Sequence, residues 1–353
     1  MISLPIDSLN FIIQPSNIEA TNCLLKLGFQ PIPAIPQLLY QYVTKRHLKA
    51  IFRHLTKAFS SNEQAACRFL MTRSPSDCSN LLLEFLKAQP LISITKSVKY
   101  SWFFQILAKE RLFFEYQPIF DLLNGELIGH ECLARALDNQ ERYYTGQQLI
   151  DAALATQLTN EFDELARSTC LESIAAHNND LKFFINIVPN ALIRDPQVIE
   201  RNLKRVLDLG LRPQQIIFEL TEIEALGQTY SLHQIINRIK EWGFLIAVDD
   251  LCSCTSMDNY FLEFRPDIVK IDRRLVHGCS RHTLKQILLK STLDAAHQAG
   301  ILVVAEGLEA LEDINFCRDL GVDMGQGFGL GRPARNLWQK SLDLLSCPVS
   351  LAS

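Results

Sequence analysis

From Leu112 onward the chain alternates short apolar runs with amphipathic stretches, and this alternation constrains its fold more than any other feature. The runs fall at 112–116, 127–133, 183–187, 216–220, 245–248, 268–271 and 301–305. Short apolar runs separated by helix-length segments predict parallel strands joined by crossover helices, as in an α/β barrel. The first two runs differ, because Asn124-Gly125 between them is a strong hairpin signal and predicts an antiparallel pair. The expected fold is a TIM-like (β/α)8 barrel with an antiparallel first strand.

A barrel of about 250 residues leaves room in a chain of 353 for one accessory module. From about Asn17 to Leu107 the apolar residues recur at helical spacing, interrupted at 31–36 and 73–77. We therefore expect a small helical domain over 1–107, the barrel over 108–340 and a tail over 341–353. Charge follows the same division. Residues 1–110 hold 12 Lys and Arg against 6 Asp and Glu, and the remainder holds 23 against 33. Lys45, Lys49, Arg53 and Lys57 recur every fourth residue opposite Leu48, Ile51, Phe52, Leu55 and Phe59, which describes a basic amphipathic helix. The simplest account is a solvated outer face. Contact with an acidic partner or membrane is the alternative, and no nucleic-acid motif accompanies the stripe.

Ten cysteines without metal-finger spacing read as reduced core or loop residues. No run approaches the roughly 18 apolar residues of a spanning helix, and the N-terminus lacks a basic region leading into an apolar one. The expected location is cytoplasmic.

Nearly every later run ends in a polar residue: Asn186, Glu219, Asp249 and Asp250, Lys270 and Asp272, and Glu306. The C-terminal strand ends of a barrel form its active face, so these residues are expected at one mouth. Hard oxygen donors without paired His or Cys suit magnesium or manganese better than zinc. Asp249 could bridge two ions while Asp250 holds the second, an arrangement suited to phosphodiester hydrolysis.

These residues, with Glu131-Cys132-Leu133-Ala134-Arg135, Glu219-Leu220-Thr221-Glu222, Ala305-Glu306-Gly307-Leu308-Glu309, Gln326-Gly327-Phe328 and Arg332-Pro333, resemble the EAL-domain family of cyclic di-GMP phosphodiesterases. The resemblance runs in order from about Leu112 to Pro333. It implies hydrolysis of cyclic di-GMP to linear pGpG and a homodimer formed through the barrel. It also implies that Glu131, Asn186, Glu219 and Asp249 hold one ion and that Asp249 and Asp250 share a second. Glu306 becomes the general base or a second-metal ligand, and Lys270 the group that fixes the attacking water. Arg135 pairs with a substrate phosphate, Gln326 hydrogen-bonds near the same centre, Asp272 supports it, and Glu222 and Glu309 order the neighbouring loop. Pro118, after Gln117, falls in the opening strand with a structural role.

Two departures stand out. Cys132 replaces the alanine of the Glu-Ala-Leu signature beside an intact Glu131. After Asp249-Asp250 the family usually has Phe-Gly-Thr-Gly, whereas this chain has Leu251-Cys252-Ser253-Cys254. Loss of both glycines restricts the loop's dihedral freedom. Two alternatives follow: a receptor that binds cyclic di-GMP or a protein without turnover, and an enzyme gated by oxidation of Cys252 and Cys254.

Overall fold

A computed structural model of the protein describes residues 8–72, 78–177, 180–187, 197–220, 230–249 and 265–342. The chain divides into two compact units, Met1–Gln105 and Ile106–Ser353.

The first unit corrects the expectation of a purely helical domain. Its centre is an antiparallel sheet of β1 (Ser8–Gln14), β2 (Gln30–Ile32), β3 (Ile35–Thr44), β4 (Arg68–Thr72) and β5 (Gln89–Pro90), in the order β2-β3-β1-β4-β5. The first four strands, with the helices between them, follow the βαββαβ order of ferredoxin-like folds. The strand signal is weak because both faces are covered. Leu39 packs with Phe11, Ile13 and Phe69, while its neighbour Leu38 packs with Ile12, Leu81 and Phe85. Burial on both faces removes the alternation that marks a half-exposed strand. The basic helix forms as expected over Lys45–Ala58. Its Leu55 is buried, Leu48, Ile51 and Phe52 pack on the same core, and Arg53 and Lys57 face solvent.

The second unit holds a closed barrel of eight strands: β6 (Leu112–Asp121), β7 (Leu127–Leu137), β9 (Lys182–Ile187), β10 (Ile216–Leu220), β11 (Leu245–Val248), β12 (Ile268–Ile271), β13 (Leu302–Ala305) and β14 (Met324–Gly325). β6 is antiparallel to both neighbours, β7 and β14, and the other pairings around the ring are parallel. The short β8 (Tyr143–Tyr144) pairs with the end of β7. Asn124-Gly125 does make the β6–β7 turn. Gly125 has φ +73°, Asp121 accepts from Leu123 N and Asn124 N, and Asn124 accepts from Glu126 N.

Two apolar layers follow from the period-two alternation of strands. Outward residues such as Phe183, Ile185, Phe218, Ile246, Val269 and Val303 pack under the helices. Inward residues Ile119, Phe184, Ile217, Ala247, Ile268, Val304 and Met324 fill the barrel. Burying a large side chain of this kind stabilises by roughly 1.5–3 kcal/mol. The barrel is a packed core, and only its ends are open to chemistry. Among the described residues no helix is long and apolar enough to cross a membrane.

Candidate active site

The same alternation that fills the barrel builds the site. Two residues beyond each interior apolar side chain, the next inward position lies at the C-terminal mouth. Phe184 is thus followed by Asn186, Ile217 by Glu219, Ala247 by Asp249, Ile268 by Lys270, Val304 by Glu306 and Met324 by Gln326. Glu131 joins them from β7, where it faces Gln117 of β6 and Phe184 of β9. Three of these residues sit just past their strands, held by backbone bonds to the neighbouring strand. Asp249 N donates to Leu220 O at 3.1 Å, Glu306 N to Ile271 O at 3.0 Å and Gln326 N to Ala305 O at 2.9 Å.

Lys270 is the centre of the group and is fully buried. Its Nζ lies 2.6 Å from Glu306 Oε1, 2.7 Å from Glu219 Oε1, 3.5 Å from Glu131 Oε2 and 3.7 Å from Asp249 Oδ1. Gln326 Nε2 donates to Glu131 Oε2 at 2.6 Å, and Asn186 Nδ2 donates to Glu131 Oε1 at 3.4 Å. Four carboxyl groups therefore share one ammonium.

Their proton affinities respond to that imbalance. Burial raises Glu306 to about 8, with Asp249 and Glu131 adding to the rise and Lys270 opposing it. Burial also raises Glu219, with Lys270 opposing and Glu131 and Asp249 reinforcing. At Glu131 burial works upward, but Lys270, Gln326 and Asn186 more than offset it and hold the group below its ordinary value. Lys270 is raised, because the surrounding carboxylates outweigh the desolvation that would lower it. Burial and the neighbouring carboxylates thus shift Glu306 toward its protonated form, and further positive charge would oppose that shift.

The donor set fits a hard divalent cation. It consists of carboxylate and amide oxygens, and both Glu219 carboxylate oxygens are buried without a directed hydrogen bond. As placed, no three acidic, histidine or cysteine side chains among the described residues enclose an ion. Lys270 Nζ stands between the carboxylates, and Asp250, the expected second-ion ligand, lies outside the described residues.

Backbone approach shapes the mouth as well. Gly307, directly after Glu306, has φ +67°, and a Cβ there would meet Arg273 Cγ at 2.3 Å. At Gly327, after Gln326, a Cβ would stand 2.1 Å from Leu308 O, so only glycine lets these two segments pass.

The remaining expected residues are placed as follows. Asp272 caps the helix Arg273–Val276, accepting from Arg274 N, and pairs with the Arg274 side chain. Glu309 pairs with Arg273 at 2.9 Å. Arg135, four residues beyond Glu131 on β7, pairs through Nε with Glu115 Oε2 at 2.8 Å. Glu222, Cys252 and Cys254 lie outside the described residues.

Sequence reasoning missed Glu115 and Tyr143, and gave Gln117 no role. Gln117 donates to Gly331 O at 3.3 Å, and Tyr143 donates to both Glu115 oxygens at 3.0 Å. The available signal was the inward parity of Glu115 and Gln117 on the hairpin strand facing Glu131.

The EAL domain profile matches residues 102–333. The chain belongs to the EAL-domain family. This EAL domain is 27% identical over 233 residues to the cyclic di-GMP phosphodiesterase PdeB of Shewanella oneidensis. That alignment covers 65% of this chain and 27% of PdeB. It is 23% identical to the blue light- and temperature-regulated antirepressor BluF of Escherichia coli, over 61% of this chain and 52% of BluF. The chain thus spans about half or less of the length of these relatives. Among solved structures, the EAL enzyme Bd1971 with cAMP and cyclic di-GMP bound superposes with a TM-score of 0.63 at 20% identity, covering 85% of this chain and 80% of that one. At that identity the likeness speaks to the fold.

Proposed function

We propose that this EAL domain hydrolyses cyclic di-GMP to linear pGpG, with two magnesium or manganese ions assisting the attack of water, and so lowers cyclic di-GMP signalling. The observation that carries this reading is the convergence of Glu131, Glu219, Asp249 and Glu306 on the buried Lys270 at the barrel mouth. PdeB, a named phosphodiesterase of the same family, supports it.

Glu131, Asn186, Glu219 and Asp249 would hold one ion, and Asp249 with Asp250 the other. When bound, the ions neutralise surplus carboxylate charge and polarise the phosphodiester. Glu306 accepts the proton of the attacking water, a role that requires its carboxylate form. Lys270 Nζ, 2.6 Å from Glu306 Oε1, orients that carboxylate and the water beside it. Gln326 fixes Glu131, Arg135 pairs with a substrate phosphate, Asp272 supports the site, and Glu222 and Glu309 order the adjoining loops. Leu284, Ile287 and Leu288 form an exposed apolar stripe on the helix Thr283–Gln298, which supports a homodimer through the barrel.

The test is chromatographic separation of cyclic di-GMP from pGpG after incubation with each metal. A receptor without turnover is the second reading, favoured by Cys252 and Cys254 in place of the loop glycines and by a relative named as an antirepressor. Binding of cyclic di-GMP with no product under any metal would select it.

A further inference from the structure

Arg135 stands between two residues that neither the family motifs nor the carboxylate cluster accounts for. Antiparallel β6 lies on one side of β7 at this point and the two-residue β8 on the other. Leu133 faces Glu115 and Leu137 faces Tyr143, so both are diagonal neighbours of Arg135. Glu115 Oε2 accepts from Arg135 Nε at 2.8 Å, and Tyr143 Oη donates to Glu115 Oε1 and Oε2, each at 3.0 Å. Arg135 Nη1 donates to Ala134 O at 3.0 Å.

Two anchors on different nitrogens fix the plane of a guanidinium, whose remaining N–H groups lie in that plane and are then aimed. The side chains are 12% exposed at Arg135 and 19% at Glu115, and Tyr143 is 42% exposed. A single ion pair within reach of solvent contributes little net stability. Its consequence is orientation at the rim of the mouth.

We infer that Glu115, braced by Tyr143, is a positioning residue that holds the Arg135 guanidinium ready for a substrate phosphate. This rests on the phosphodiesterase reading above, in which Arg135 meets that phosphate. Glu115 also offsets the Arg135 charge, so the site presents a directed donor edge in preference to a bare cation. A flexible arginine would have to be ordered on binding, at a cost comparable to immobilising one long side chain.

The test uses the full chain, measuring KM and kcat for hydrolysis with magnesium and, in parallel, the Kd of cyclic di-GMP by calorimetry with calcium in place of magnesium. Glu115→Ala is expected to raise KM and Kd about tenfold, with kcat changed by less than about twofold. Glu115→Gln keeps an acceptor for Arg135 Nε and Tyr143 Oη and should recover most of the loss. Tyr143→Phe should weaken binding by a smaller factor in the same direction. In an Arg135→Ala background, Glu115→Ala should have no further effect, which a general loss of structure would not reproduce. An unchanged KM and Kd in Glu115→Ala, or an equal loss with and without Arg135, overturns the inference. If the wild type binds but does not hydrolyse, the enzyme reading fails and the Kd series alone decides the role of Glu115. If the wild type does not bind cyclic di-GMP, both fail.

Discussion

Lys270 Nζ stands 2.7 Å from Glu219 Oε1 within the barrel, and both side chains are fully excluded from solvent. A buried ion pair is poor evidence of net stability, but breaking one strands the surviving charge. The pair is better understood as an arrangement held for chemistry, since Glu306 reaches the same ammonium at 2.6 Å.

Lys270→Met should therefore affect both stability and activity. In chelator the variant is expected to unfold about 3 kcal/mol more easily than the wild type, with magnesium or manganese restoring part of the loss. Turnover should fall by roughly a hundredfold or more, because the group orienting the water is gone. Denaturant titration with and without metal, alongside initial rates, checks both. Wild-type rates in this variant would remove Lys270 from the site.

Glu131→Ala and Asp249→Asn should each abolish hydrolysis while leaving the fold intact. The outward and interior apolar packing of the barrel does not involve either carboxylate. Unchanged circular dichroism with no detectable product is the expected pair of results. Wild-type turnover in either variant would contradict the proposed ligand set.

Acid stability should depend on Asp313, which is not one of the carboxylates paired with Lys270. This carboxylate is buried and accepts from Gly278 N at 2.8 Å and Ser280 N at 2.9 Å. Burial alone would raise it, but hydrogen bonds from the Ser280 side chain, from Ser280 N and Gly278 N and from Cys279 outweigh burial and hold it below its ordinary value. A carboxyl lowered in the folded state contributes stability above its unfolded pKa of about 4, and that contribution is lost as pH falls through the folded value. Asp313→Asn, which sets an amide against two N–H donors, should cost about 2 kcal/mol at neutral pH. The gap to wild type should narrow below pH 4 or so. A constant gap across that range would exclude the ionised carboxylate as the cause.

Much of the barrel is legible in the sequence because its strands are buried and short. Each of the seven apolar runs coincides with a strand, to within a few residues at its ends. β14 is not legible, since Met324–Gly325 is too short to carry a period. The N-terminal sheet was hidden by cover on both faces, which places Leu38 and Leu39 side by side in the chain and both in a core. Strand ends also pointed to the residues around Lys270, because alternation turns every second side chain inward and the last inward position of each strand lies at the mouth. Glu115 and Tyr143 required the hairpin register, which shifts between Ile119 and Phe120, and a two-residue strand with no sequence signature. Asp272 shows a role that strand-end position alone does not reveal, because a carboxylate there can also cap the next helix, as it does for Arg273–Val276.

The most direct test of the account is hydrolysis of cyclic di-GMP by the wild-type chain, followed by chromatography, with magnesium or manganese, with calcium, and after exhaustive chelation. Linear pGpG should form with magnesium or manganese, stop on chelation and resume when either metal is restored, and calcium should fail to replace them because its looser coordination misplaces the attacking water. Full activity after chelation, or no product with any metal, would contradict it.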